Sequence, residues 1–255
     1  CRTNEKGESD IIQCSNSIVY TLGYVKQELI GKGIEMLMPG VISSEHHKML
    51  STRMKKMRAN TNHKGSVSIG DKKQFFILPK TKAGYLLPTN CRFTVYNDDD
   101  FSNTYIIKAK FEARDTKSIY AFYVLTKTDF TVDGISSSAL NLGLSMDLLK
   151  KYMINIQILV RNEINLEDLS LPEKYGDFEE EPRKVSWVFP HKIYPKDEDE
   201  RRNEEDVAEL IKQSETKDFL LLITKIKFYE DDPLGFCFRF IETDTKKGNV
   251  DPGDF

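Results

Sequence analysis

The side chains with the clearest potential for chemistry are four cysteines and four histidines. The cysteines are Cys1, Cys14, Cys91 and Cys237, and the histidines are His46, His47, His63 and His191. No two cysteines have the spacing of metal ligands, so the sequence predicts no cysteine zinc site and favours a reducing compartment. His47, His63 and His191 have no partner at ligand spacing and are interpreted as surface residues. His46 is the remaining candidate.

Motifs that are typical of common enzymes are missing from this sequence. It has no glycine-rich phosphate-binding loop, no Gly-x-Ser-x-Gly segment and no His-Glu-x-x-His segment. Asp98–Asp100 and Asp231-Asp232 have the composition of hairpin turns and lack the ligand pattern of a calcium loop. We therefore predict that the protein is not an enzyme and holds no metal ion.

Composition and charge limit the class of protein. The 255 residues are 39% hydrophobic and 30% charged, with a net charge of -3, which suits a globular protein of one or two domains. We find no signal peptide and no apolar run long enough to cross a membrane, and therefore predict a cytoplasmic location with no membrane span in this segment. Because the sequence begins at Cys1 rather than at a methionine, we interpret it as a fragment of a longer protein.

Residues 48–64 are strongly basic and carry methionine and leucine at helical spacing. The pattern predicts a helix that packs its apolar side on a sheet and turns a basic side to solvent. The apolar residues are Met49, Leu50, Met54 and Met57. The alternative is a helix that docks an acidic partner, either this chain's own acidic insertion or a calmodulin-like protein. Nucleic acid is excluded as a partner because no aromatic residues lie among these charges.

A second charged region, about 168–206, is acidic and is interpreted as an insertion made mostly of loop. At its end, residues 204–213 begin with acidic side chains and place Val207, Leu210 and Ile211 on one side. This pattern predicts a short amphipathic helix.

The chain contains an internal repeat. A shift of 120 residues lays Leu22-Gly23 on Leu142-Gly143 and Ile34 on Ile154. Later segments also correspond: 75–82 resembles 186–193, and 119–129 resembles 235–244. Each copy is predicted to have short helices first and about three antiparallel strands afterwards, which indicates an α+β unit.

The segments "LGYVKQELIGKGIEMLMPG" and "GYLLP" make residues 8–129 resemble a PAS domain. The likeness is weaker over 132–245. The resemblance implies an α+β fold of two tandem PAS-like domains, each an antiparallel sheet with short helices on one face, the second divergent. We predict domains at 1–131 and 132–245, followed by a tail at 246–255. Similar stretches occur in very large protist proteins, beside membrane spans.

The run Thr89–Phe93, "TNCRF", resembles the flavin-attachment motif of light-sensing PAS domains, but it lies in a different place. In those domains the reactive cysteine follows a glycine that corresponds to Gly31, and the cysteine's position is occupied here by Ile34. Strand alternation instead places Cys91 on one face with Phe93. We predict a buried thiol and no flavin photoadduct.

His46 follows Met38 by eight residues, the spacing that haem-binding PAS domains show. The resemblance therefore implies a possible haem iron ligand. However, the arginine that polarises bound oxygen in those domains would fall near Phe75, where this sequence has none. The alternative is a structural His46 that packs on its helix.

These observations predict a non-catalytic module for sensing, signal relay or scaffolding. Its partners would be proteins or other domains of the same longer chain. The predicted pocket of the first domain is lined by Ile34, Met38, Met49, Phe76, Cys91, Phe93 and Phe122. Two alternatives stay open: a haem-binding gas or redox sensor that uses His46, and a ligand-free structural subunit of a cytoskeletal or ciliary assembly.

Overall fold

The computed structural model describes residues 1–60, 75–98, 104–113, 121–161, 182–194, 204–227 and 233–242. These residues form two antiparallel sheets of five strands, each accompanied by short helices. The predicted α+β class is therefore confirmed. Among the described residues, no helix has the length and apolar character needed to cross a membrane.

The first unit comprises the described residues up to 113. Its strands are β1 (Arg2–Thr3), β2 (Ser9–Asp10), β3 (Phe75–Ile77), β4 (Thr89–Asn97) and β5 (Tyr105–Ala113). They lie in the order β2-β1-β5-β4-β3. Its helices, which come between β2 and β3, are α1 (Ile18–Leu22), α2 (Lys26–Leu29), a 3-10 helix (Ile34–Leu37) and the long α3 (Gly40–Asn60).

The second unit comprises the described residues from 121 onward. Its strands are β6 (Ala121–Lys127), β7 (Val132–Ile135), β8 (Arg183–Val188), β9 (Thr216–Ile226) and β10 (Gly235–Glu242). Their order, β7-β6-β10-β9-β8, repeats that of the first sheet when strands are counted within each unit. Its helices are a 3-10 helix (Ser137–Leu142), α4 (Met146–Lys151), α5 (Ile156–Leu159), α6 (Pro190–Ile193) and α7 (Glu204–Gln213).

The two Leu-Gly pairs have matching local structure. Gly23 and Gly143 each end a short helix with φ of 80°, a left-handed conformation that glycine adopts without the steric cost of a β-carbon. Leu22 and Leu142 are both buried. The carbonyl of Leu22 accepts a hydrogen bond from the Lys82 amide at 2.8 Å, and that of Leu142 accepts one from the Trp187 indole at 3.2 Å.

The predicted register of the repeat is wrong beyond these pairs. The residue that corresponds to Ile34 is Ile156 rather than Ile154, since each begins a one-turn helix. Gly33 and Asn155, which precede them, form matching bridges to Asp10 and Thr131. The cause is helix length, because α2 has four residues and α4 has six.

Strand β6 belongs to the second sheet and not, as predicted, to the first domain. It pairs with β7 on one side and β10 on the other. Its residues from Phe122 to Thr126 are all buried, as expected for a central strand covered on both faces. The division between the sheets therefore falls before Ala121, not at residue 131.

The acidic insertion predicted at about 168–206 contains part of the second sheet. Strand β8 pairs with β9 along its whole length. Helix α7 covers the predicted residues 204–213, and Val207 and Ile211 pack against the second unit's core. The Arg161 guanidinium donates to the carbonyls of Ile211 and Lys212 at 2.7 and 2.6 Å, which stabilises the helix end. Residues 162–181, 195–203 and the predicted tail lie outside the described part.

The two faces of the second sheet are covered by different parts of the protein. Alternate residues of β6 point in opposite directions. Phe122 and Val124 join the second unit's own core, whereas Tyr123 and Leu125 contact a cluster that includes Val41 of the first unit.

Polar contacts also join the two units. The Leu86 amide donates to the Ile135 carbonyl at 2.8 Å, and Asp133 accepts from the Val41 amide at 3.1 Å. This second contact places a second-unit carboxylate at the N-terminus of α3, where negative charge is stabilising.

Candidate functional site

A cavity of about 370 Å³ lies between helix α3 and the inner face of the first sheet. We call it the α3 cavity. Its volume is at the lower end of the range for ligand pockets, about 300–1,000 Å³. Its walls are mostly apolar, and they combine residues of both units.

Alternation along the strands determines which side chains form the sheet side of the α3 cavity, which we call the sheet wall. Residues opposite each other on β4 and β5 share a face, as Phe93 and Ala109 or Val95 and Ile107 do. All four line the cavity. The ring of Phe75 on β3 lies 5.9 Å from that of Phe93. Ala109 is the smallest side chain on this side of the cavity.

On the helix side of the cavity, which we call the helix wall, α3 packs on the sheet as predicted. Leu50 and Met54 are buried against Val95 and Tyr105, with Met49 beside them. Met49, Leu50 and Met54 all line the cavity. Methionine adapts its shape readily, so this wall can fit ligands of different outline. The side chain of Met57 lies outside the described residues.

The structure brings together most of the predicted pocket residues. Ile34, Met38, Met49, Phe76 and Phe93 line the α3 cavity, and so does His46. Cys91 and Phe122, the other two predicted residues, do not line it.

Cys91 lies on the predicted face of β4, but its side chain is covered. It is opposite Phe75 on one side and Phe111 on the other, and its exposed fraction is 0%. Burial raises the pKa of the Cys91 thiol to about 12, because a thiolate is poorly solvated there. A thiol in such surroundings is inert.

Phe122 lies in the second unit's core, because β6 belongs to the second sheet. Its ring stacks on Phe240 at 4.6 Å and meets Trp187 edge-on at 5.4 Å. Its prediction as a residue of the first pocket is therefore wrong, and the error has the same origin as the misplaced boundary. In the second unit, aromatic side chains occupy the space under the helices.

His46 is the buried ionisable group of the α3 cavity's helix wall. Its Nδ1 lies 2.9 Å from Oε1 of Glu35, and Nε2 of His47 lies 3.6 Å from the same oxygen. Burial lowers the pKa of His46, and the Glu35 carboxylate partly opposes that change. A carboxylate can only accept hydrogen bonds, so Nδ1–H of the neutral His46 ring donates to Glu35. Nε2 is then the ring nitrogen with a free lone pair.

Among the lining residues that the predicted pocket lacks, Arg53, Ile226 and Lys227 matter for the charge of the cavity and for its contact with the second unit. Arg53, one of the basic residues of 48–64, is exposed as that pattern predicts, and it also lines the cavity. Ile226 and Lys227 reach the cavity from the end of β9 in the second unit. No local signal could have identified them, since their position depends on how the two units pack.

Thiol reactivity should separate the four cysteines into two classes. Cys1 and Cys14 are partly exposed, whereas Cys91 and Cys237 are buried, and burial raises the pKa of both buried thiols. We expect Ellman's reagent to modify Cys1 and Cys14 in the native protein, and Cys91 and Cys237 only after unfolding. Rapid native modification of Cys91, located by peptide mass spectrometry, would contradict its placement.

Within the described ranges, no cluster of three or more His, Cys, Asp or Glu side chains has a geometry that could hold a metal ion. Comparison of the sequence with protein-family models and with curated proteins finds no match. We therefore infer the function from the residues of the α3 cavity and from the contacts around it.

Proposed function

We propose that this chain is a non-catalytic, tandem PAS-like module that holds a small molecule in the α3 cavity and relays its presence to protein partners. The observation that carries the proposal is the cavity itself. It is largely apolar and is bounded by a sheet, a long helix and the end of a strand from the second unit. Sites with this form bind small ligands in many proteins.

The PAS-like assignment draws support from the repeated architecture. Each unit places a set of short helices between the second and third strand of a five-stranded antiparallel sheet, the second unit adds α6 and α7 between its third and fourth strands, and the strand order is the same in both. Helices on one face of an antiparallel sheet are what the resemblance implies.

The relay part of the proposal draws support from the position of α3. Its N-terminus is held by Asp133 of β7, while Met49 and Met54 further along the helix line the cavity. A ligand that favours one position of α3 would also favour one arrangement of the second unit. Ile226 and Lys227 provide a second route, since they line the cavity directly.

Filling the cavity tests this proposal. Ala109→Phe adds a ring on the inner face of β5, so we expect it to abolish binding of N-phenyl-1-naphthylamine, a neutral dye that fluoresces in apolar sites. The matched control is Lys108→Phe, which places the same ring on the exposed outer face of the same strand.

Wild type and Lys108→Phe should both enhance dye fluorescence at low micromolar protein, and Ala109→Phe should not. Equal dye binding by all three proteins, with Ala109→Phe folded by circular dichroism, would contradict ligand binding in the cavity. A ligand-free structural role would then be favoured.

A haem sensor is the second candidate, and the Glu35–His46 contact favours it. Histidines that bind metals usually donate their other N–H to a carboxylate or carbonyl, as Nδ1 of His46 does to Glu35. His46 would be the residue that holds the haem iron, and haem would supply gas or electron binding. Addition of haem should then give a Soret band that His46→Ala abolishes while the variant remains folded by circular dichroism. No Soret band would rule this candidate out.

A further inference from the structure

The charged side chains that line the α3 cavity, within the described part of the chain, are Arg53 and Lys227. Both are cationic, and they come from different units. Arg53 lies on α3 and is exposed, so it stands where the cavity meets solvent; Lys227 follows β9 and is partly buried. The described residues that line the cavity include no carboxylate. The nearby Glu35 is engaged with His46 and His47.

Two cations among the lining residues of an apolar cavity, one of them exposed, favour a ligand with an anionic end. The mostly apolar walls strengthen electrostatic attraction by lowering the local dielectric. A carboxylate held at the open side keeps part of its hydration, so it avoids the large cost of full burial. Arginine is suited to this contact because its guanidinium can donate two parallel hydrogen bonds to a carboxylate.

The interior of the cavity is suited to a flexible or flat apolar body. Phe75, Phe93 and Phe111 lie on the sheet side, Met49 and Met54 lie on α3, and Met38 lies just before α3. Water occupies about 30 Å³ per molecule as a liquid, so a cavity of about 370 Å³ has room for on the order of ten small groups.

We propose that the α3 cavity binds an amphipathic carboxylate with an apolar body of about ten carbon-sized groups. The carboxylate contacts Arg53 and Lys227, and the apolar body lies between the methionines of α3 and the phenylalanines of the sheet. This inference rests on the proposed ligand-holding function and specifies the class of ligand.

The test uses three probes with the same ten-carbon chain: decanoate, decanol and decyltrimethylammonium. Each is titrated into the whole chain labelled with ¹³C at the methionine methyl groups. Met38, Met49 and Met54 line the cavity. Met146 packs on the second unit's core, and Met153 is 89% exposed. These last two therefore report changes outside the cavity.

We expect decanoate to shift the three cavity methyls and to bind at least about tenfold more tightly than decanol or the cationic probe, a factor typical of one charge-assisted contact. Arg53→Gln should reduce that preference to a few-fold, and Arg53→Gln with Lys227→Gln should remove it. Lys55→Gln removes the same charge from an exposed position of α3 that does not line the cavity, and it should leave the preference unchanged.

Two results would overturn this inference and have different meanings. If decanol shifts the cavity methyls with the same affinity as decanoate, the charge preference is wrong but the ligand-holding function stands. If no probe shifts Met38, Met49 or Met54, or if only Met153 responds, the probes adsorb on the surface or do not bind. If the same wild-type preparation also fails to bind N-phenyl-1-naphthylamine, the ligand-holding function is contradicted as well.

Discussion

Replacing Trp187 by alanine should lower the free energy of unfolding by about 3–5 kcal/mol, the usual cost of removing a buried aromatic side chain. Trp187 has an exposed fraction of 0% and meets the rings of Phe122 and Phe240 edge-on at 5.4 and 5.1 Å. Its indole N–H donates to the Leu142 carbonyl at 3.2 Å. The substitution therefore leaves both a cavity and an unpaired acceptor.

Urea unfolding followed by circular dichroism measures this loss, since Trp187 is the single tryptophan and its fluorescence disappears with it. Trp187→Phe should have an intermediate effect, because it keeps a ring but loses the hydrogen bond. Tyr20→Ala is the matched control: Tyr20 is 90% exposed, so its removal should change stability by less than about 0.5 kcal/mol. A loss below about 1 kcal/mol for Trp187→Ala would contradict the described core.

Gly235→Ala should destabilise the protein by at least about 3 kcal/mol, or prevent folding. A β-carbon at Gly235 would lie 2.0 Å from the Thr126 carbonyl oxygen and 3.0 Å from its carbon. Both are backbone atoms of β6, so the clash cannot be relieved by rotating a side chain. The strands β6 and β10 would have to separate where they pair.

This substitution also tests which sheet contains β6. If β6 completed the first sheet, Gly235 would have a backbone neighbour only on the β9 side and none where the clash arises, and alanine would be neutral or slightly stabilising. The control is Gly33→Ala, where the nearest atom to an added methyl is the movable carboxylate oxygen of Glu35. We expect it to cost less than about 1 kcal/mol. Equal stability of the two variants by urea unfolding would contradict the pairing of β6 with β10.

Local patterns in the sequence predicted local structure well. The polar-apolar periodicity of 204–213 predicted α7, and alternation along β4 predicted that Cys91 and Phe93 share a face. The Leu-Gly pairs marked equivalent helix ends because glycine is the residue that tolerates a left-handed conformation there. Each of these depends on interactions between neighbours in the sequence.

What could not be predicted depends on contacts between distant segments. Strand β6 follows β5 in the chain, and an antiparallel neighbour is the usual interpretation for consecutive strands. Its pairing with β10 instead involves residues more than a hundred positions away. The same holds for Lys227, which reaches the α3 cavity only because the second unit packs against the first.

The two units use the same architecture in different ways. The second fills the space under its helices with Phe122, Trp187 and neighbouring aromatic rings, whereas the first retains the α3 cavity. We infer a division of roles in which the second unit is a rigid support and the first unit is the site of ligand binding. The Asp133 contact with α3 links these two roles.

Native mass spectrometry of the purified chain tests most directly whether the α3 cavity holds a ligand. We predict that wild type and Lys108→Phe carry a small molecule that is released on denaturation, and that Ala109→Phe carries none. The contradicting result is a wild-type mass equal to that of the polypeptide alone, together with a higher unfolding temperature for Ala109→Phe. The cavity would then be a void that a larger side chain fills with a gain in stability.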